Sequence, residues 1–210
     1  MTARADGRDT RWADHRVQRR RELVESTLRA IRKHGASVGM DEIATEAGTS
    51  KTVIYRHFGD RSGLYLAVVE KVADFILEDL RASVGWDDPD DLATLVADLV
   101  HAYLGLVERD PEIYRFVISR PLVDKPLTDD PVTGLTRRIG RQVGDVLRRY
   151  GHAEATAATW GHGLVGFVRA ATDEWLAAGM PRDTDQLAAD VAHLFAPAFA
   201  AHQPATSGIS

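Results

Sequence analysis

At 210 residues and 23.1 kDa the chain fits one domain, or a small domain joined to a larger one, with length enough to bury an ordinary core. It has no cysteine, which excludes disulfides, thiolate metal sites and cysteine nucleophiles and fits a reducing cytoplasm; charged residues make up 27%, and no apolar run reaches the roughly 18 residues of a membrane span. The net charge of −5 is uneven: residues 1–61 hold 13 basic against 9 acidic side chains, a net +4, while residues 62–210 hold 13 against 22, a net −9, so only the head is suited to meet an anion.

Residues 1–14 are polar and aperiodic and read as a flexible arm. They are rich in arginine but lack the apolar core and cleavage site of a secretory signal. A first helix is predicted from Val17 to His34, burying Val24, Thr27, Leu28 and Ile31, with Gly35 as its stop. A short helix follows from Asp41 to Ala47, turning Ile43, Ala44 and Ala47 inward. Gly48 ends it, and Ser50 caps a second short helix that runs to Phe58. A fourth helix spans Ser62–Ser83, with Leu64, Ala67, Val68, Val72, Phe75 and Ile76 inside. The segment Gly85–Asp91 breaks the pattern. Leu92–Arg109 is then strongly amphipathic, and Pro111 opens a helix holding Tyr114, Phe116 and Val117. Pro121, Pro126 and Pro131 bracket a loop. Helices at Val132–Tyr150, Ala153–Ala178 and Thr184–Ala200 complete the chain, with Pro197 expected to kink or end the last. No stretch alternates like a strand, so the fold class is all-α.

The informative stretch is Gly39–Glu70. Two short helices joined at Ala47-Gly48-Thr49-Ser50 have the size of a helix-turn-helix. Glycine at 48 supplies the positive φ of a tight turn. In the second helix Ile54 and Phe58, four apart, face inward, whereas Lys51, Thr52, Tyr55 and Arg56 cluster on the opposite surface near the N-terminal end. A docked helix-turn-helix puts that end in the major groove. Lysine donates to guanine edges, and threonine meets base edges or the thymine methyl. Tyr55, His57 and Arg61 carry donors that suit phosphate oxygens, which set register.

These residues resemble the TetR (tetracycline-repressor-like) family of bacterial transcription regulators. The family pattern is an Asp-Ile-Ala-type helix, a glycine turn, then Ser-Lys-Thr-x-Leu-Tyr-x-His-Phe. The chain reads Asp-Glu-Ile-Ala, Ala-Gly-Thr-Ser, then Lys-Thr-Val-Ile-Tyr-Arg-His-Phe. The resemblance covers about residues 16–76, and beyond them only size and helix number. Three positions depart from it: Thr49 replaces valine, Gly39 replaces a Thr/Ser cap, and Gly63 replaces a glutamate, which weakens the start of the fourth helix. The resemblance implies a DNA-binding set of Met40 (through its backbone amide), Thr49, Ser50, Lys51, Thr52, Val53, Tyr55, Arg56, His57 and Arg61. Arg19 and Arg20 add charge or form a solvated helix face.

It further implies a helix-turn-helix domain at 15–61, a ligand-binding and dimerisation bundle at 62–201 and a frayed tail at 202–210. Large side chains proposed to line the pocket are Tyr103, Tyr114, Phe116, Trp160 and Phe167. Arg169 is a candidate for a ligand anion, against an ion pair with Asp173. Leu164, Val168, Trp175, Val191, Leu194 and Phe195 are the candidate dimer face, against a plain core role, with Gly161, Gly163, Gly166 and Ala170 permitting close helix approach. The expected protein is a homodimeric repressor that a small, largely apolar effector releases from a double-stranded DNA operator. Gly-Leu-Val-Gly-Phe and Gly-Met-Asp-Glu-Ile-Ala resemble regulators of lipid metabolism that sense acyl chains, which makes acyl chains or acyl-coenzyme A the first effector class. Two alternatives stand: a ligand-dependent activator or corepressor-type regulator, and an all-helical protein-interaction module. The eight histidines are scattered, and no zinc-protease, nucleophile-elbow, P-loop or dinucleotide motif occurs. Neither an enzyme nor a cofactor or metal site is therefore expected.

Overall fold

The computed structural model describes residues 7–86, 92–123 and 130–200. Among them the elements run α1 (Gly7–His34), α2 (Met40–Glu46), α3 (Lys51–Phe58), α4 (Arg61–Ser83), α5 (Leu92–Arg109), α6 (Pro111–Ser119), α7 (Pro131–Arg149), α8 (Glu154–Ala177) and α9 (Thr184–Ala200). The all-α expectation holds, and most predicted bounds are met within a residue or two. The middle of the predicted Pro-bracketed loop, 124–129, and the 202–210 tail lie outside the described residues.

Three readings change. α1 begins at Gly7, so residues 7–14 extend the helix and are not a loose arm. Pro197 lies inside α9, which continues to Ala200, so of its two expected effects it does not end the helix. Phe75 is 40% exposed rather than internal. The buried set of α4 changes face along its length: Leu64, Tyr65 and Val68 are internal in its first half, Leu77 and Leu80 in its second.

That change of face matches the way the chain packs into two compact units. One holds α1, α2, α3, α4 as far as Val72, and α6; the other holds α4 from Ala73, α5, α7, α8 and α9. The division therefore falls within α4, not at the predicted Arg61/Ser62 boundary. In the first unit the core is Leu23, Leu28, Ile31, Ile43, Ile54 and Leu64, all within 1% of full burial. The fully buried Tyr65 donates its hydroxyl to the Val117 carbonyl at 2.7 Å and packs against Phe116 at 5.8 Å between ring centroids. α6 is also tied to the end of α1. Arg32 forks onto both Asp110 oxygens at 2.7 and 3.1 Å, and Glu112 accepts from the Ala36 amide at 2.8 Å. These bonds explain why a helix 78 positions away in sequence belongs to the first unit.

In the second unit α7 packs on α8 and α5 on α9. The α7–α8 approach is backbone to backbone. A β-carbon on Gly161 would lie 2.3 Å from the Gly140 carbonyl oxygen and 2.8 Å from the Gly144 nitrogen. No side-chain rotation relieves that clash. Gly161→Ala is accordingly expected to force the two helices apart and cost about 1–3 kcal/mol, as overpacked sites do. A thermal melt checks this: the melting temperature falls in Gly161→Ala but not in Gly163→Ala, whose β-carbon meets nothing within 4 Å.

Candidate nucleic-acid interface

α3 is eight residues long and gains its position from what lies beneath it. Ile54 is 1% exposed and Phe58 8%, so one face is sunk in the unit core. Ser50 accepts from the Val53 amide at 3.4 Å and caps the start of the helix. Gly48, at φ 58°, makes the turn from α2, with the Thr49 amide bonded to Ala44 at 3.0 Å. At the far end Arg20 of α1 donates to the His57 carbonyl at 2.7 Å and lays its guanidinium over the Phe58 ring at 4.3 Å. Arg20 therefore clamps the C-terminal end of α3. That cationic contact favours the helix dipole and adds a cation–π term.

The start of α2 is also secured. Glycine at 39 offers no side chain, so only the return half of a capping box exists: Glu42 accepts from the Gly39 amide at 2.7 Å. The Gly-x-x-Glu spacing was a legible signal for this bond. Gly63 proves to be a packing requirement rather than a weakness. Its amide donates to Asp60 at 2.7 Å, and a β-carbon there would lie 2.0 Å from the Phe58 carbonyl oxygen.

With α3 fixed, the predicted DNA-binding residues fall as follows. Lys51, Thr52, Tyr55 and Arg56 are exposed on one surface. Ser50 is exposed, and its hydroxyl hydrogen can donate to phosphate while its oxygen caps α3. Val53, Thr49, His57 and Arg61 are partly buried around that surface. Met40 is the first residue of α2 with its side chain in the core, so the backbone amide is the polar group it offers. Lys51 is not isolated: its ammonium lies 2.8 Å from an Asp41 carboxylate oxygen, and that hydrogen bond holds it above the ordinary lysine range. Arg19 pairs with Glu22 at 3.0 Å. Burial pushes the His57 imidazole down, and the guanidiniums of Arg19, Arg20 and Arg56 push it the same way.

The pocket and dimer candidates separate differently. Phe116 belongs to the first unit's core. Tyr114 is half-buried in the same unit, whereas Tyr103, Trp160, Phe167 and Arg169 belong to the other, so the six candidates do not form one cluster within a unit. Trp160 packs against His152 at 5.1 Å, and Arg169 lies 3.9 Å from Asp173, the ion-pair alternative. Leu164, Val168, Trp175 and Val191 are buried within the single chain at 5% exposure or less, which removes them from any dimer face. Phe195 is half-buried and meets Phe167 edge-on at 5.3 Å, and Leu194 is 60% exposed. A cleft of about 390 Å³ opens between α8 and α9, lined by Phe167, Trp175, Leu187 and Val191, with Arg182 and Asp190 at its polar side.

Helices α1, α2 and α3, presenting the N-terminal half of a short, pinned helix with lysine, threonine, tyrosine and arginine outward, have the form of a helix-turn-helix DNA-binding regulator. The comparisons agree. Residues 23–68 match the family described as "Bacterial regulatory proteins, tetR family", and residues 79–209 match "Tetracyclin repressor-like, C-terminal domain". The chain is 35% identical over 181 residues to an uncharacterised HTH-type transcriptional regulator of Mycobacterium tuberculosis, covering 84% of this chain and 75% of that one. It is 31% identical over 172 residues to the HTH-type transcriptional activator FasR of Mycolicibacterium smegmatis, covering 81% and 78%. Among solved structures, a TetR-family regulator of Streptomyces coelicolor superposes with a TM-score of 0.69 at 20% identity, covering 88% of this chain and 81% of that one. The repressor AlkX of a Dietzia strain superposes at 0.58 and 20% identity, covering 87% and 98%. The chain belongs to the TetR family and is a DNA-binding transcriptional regulator, not an enzyme.

His57 supplies a pH test. Its imidazole gives up its proton more readily than an ordinary histidine's, because burial and three guanidiniums disfavour the charge. If His57 meets a DNA phosphate, that phosphate favours the charged form and binding takes up a proton. DNA affinity should therefore rise as pH falls from about 8 to about 6. Anisotropy titrations across that range check it: the His57→Gln protein should show a shallower slope than the native one.

Proposed function

We propose that the chain acts as a homodimeric repressor whose two α3 helices read successive major grooves of a near-palindromic operator. Their spacing would be about 34–36 Å, one helical turn of DNA. The observation that carries the reading surface is the opposition within α3, with Ile54 and Phe58 sunk and Lys51, Thr52, Tyr55 and Arg56 outward. Lys51, Thr52 and Val53 then take the base-facing roles, and Tyr55, His57 and Arg61 the phosphate roles. Lys51→Ala should weaken operator binding by on the order of 10- to 100-fold and relax preference at one position. Arg61→Ala should weaken all sequences alike and flatten the salt dependence by about one unit of slope. Anisotropy on the chain's own upstream DNA, titrated with competitor at about 0.15 M salt, reads both. A change of base preference in Arg61→Ala would overturn its assignment.

The support for a dimer face lies on the outward side of α8 and α9. Gly163, Gly166, Phe167 and Ala170 are exposed along α8, and Leu194 is exposed on α9. Two such pairs make a four-helix bundle across a two-fold axis. Leu194→Glu should convert dimer to monomer in sedimentation while leaving the helical signal intact. An unchanged dimer would place the interface elsewhere.

The proposed effector is small and largely apolar, acyl chains or acyl-coenzyme A first, held in the second unit near Tyr103 and Trp160. Effector binding shifts the population toward an operator-incompetent state, and α4, which runs through the Val72/Ala73 division, carries the change. The 31% identity to a protein named as an activator favours a second reading, in which the ligand-bound form activates transcription. The sign of the effector's influence on operator affinity separates the two.

A further inference from the structure

Lys51 is the one lysine on α3, and its ammonium does not wait for DNA unattended. Asp41 of α2 meets it across the turn at 2.8 Å, and both side chains are open to solvent, 46% for Lys51 and 83% for Asp41. The pair therefore stands on the surface that DNA would cover. An acid in that place is unexpected on electrostatic grounds, because a carboxylate beside a phosphate backbone opposes binding. The other α2 acids have different partners: Glu42 takes the Gly39 amide, and Glu46 takes Arg29 at 3.6 Å and Lys33 at 3.3 Å. Only Asp41 is directed at a base-reading residue of α3.

An ammonium has three N–H donors. With one donated to Asp41, two remain, the number that the O6 and N7 acceptors of a guanine edge take. The contact also removes much of the rotamer freedom of a four-carbon stem that would otherwise range over nearby phosphates. We propose that Asp41 is a positioning residue for specificity, holding Lys51 for a guanine edge and withholding its charge from the sequence-independent backbone contact. This rests on the reading of Lys51 as a base-facing residue.

The test compares operator and random-sequence DNA by anisotropy over a salt series, using the full chain. In Asp41→Asn the released lysine should tighten random-sequence binding about two- to fivefold, within the range of an exposed ion pair. The salt slope on random DNA should steepen by about one unit. Operator binding should not tighten in step, so the specificity ratio falls. Asp41→Glu, which keeps the carboxylate, should restore the ratio. In a Lys51→Ala background, Asp41→Asn should have no such effect. Equal tightening on both DNAs would mean that Asp41 only repels phosphate, and would overturn the proposal. A change of base preference that persists in the Lys51→Ala background would make Asp41 a direct reader, and would also overturn it. Operator binding unaffected by Lys51→Ala alone would sink the underlying reading of Lys51 instead. A melting curve on each variant separates loss of fold from loss of positioning.

Discussion

An eight-residue helix does not hold its shape alone in water, so the reading surface depends on what pins α3 from below. Two of its residues, Ile54 and Phe58, carry that burden on the inner side. Its ends are fixed by different chemistry: the Ser50 hydroxyl accepts at the start, and the Arg20 guanidinium donates at the finish. Arg20 is placed to do so because α1 is long and lies under α3, with Leu23 and Leu28 fully buried on the same helix. The exposed polar residues on the outer side of α3 are thus not what holds it in the core.

The same economy governs charge. The basic head is only modestly basic, and much of its positive charge is locally matched. Arg19 meets Glu22, Arg29 and Lys33 meet Glu46, and Arg32 meets Asp110. Arg20 is engaged by the end of α3. Matched charges add little to a broad attraction for DNA, and cations held at fixed places favour selection among sequences over indiscriminate adhesion.

The helices were legible in the sequence because their ends carry chemistry of their own: Ser50 and Gly48 around α3, Pro111 at α6, Gly35 after α1. The reading surface was legible for a similar reason, since Ile54 and Phe58 sit one helical turn apart and fix the wheel. Arg20 and Asp41 were not so legible. Each acts across a tertiary gap, 37 positions for Arg20 and His57, and no local pattern marks which of several arginines or acids will reach. The boundary within α4 was hidden too. One amphipathic stripe was extrapolated past Val72, whereas the buried face rotates there and leaves Phe75 outside.

α8 shows why the second unit resisted sequence reasoning most. It is apolar or small around most of its circumference, so a helical wheel cannot say which side meets its own chain. The packing decides by backbone approach. Gly161 faces α7 because no other residue allows that contact, and it carries Leu164, Val168 and Trp175 inward with it at helical spacing. Gly163, Gly166, Phe167 and Ala170 are then turned out by geometry alone. The α8 candidates for a partner face, Leu164, Val168 and Trp175, are core, and the small residues beside them lie on the outward surface. Gly140, Gly144 and Gly161 together make that close approach possible, so the choice of core face and the choice of outward face on α8 are one constraint.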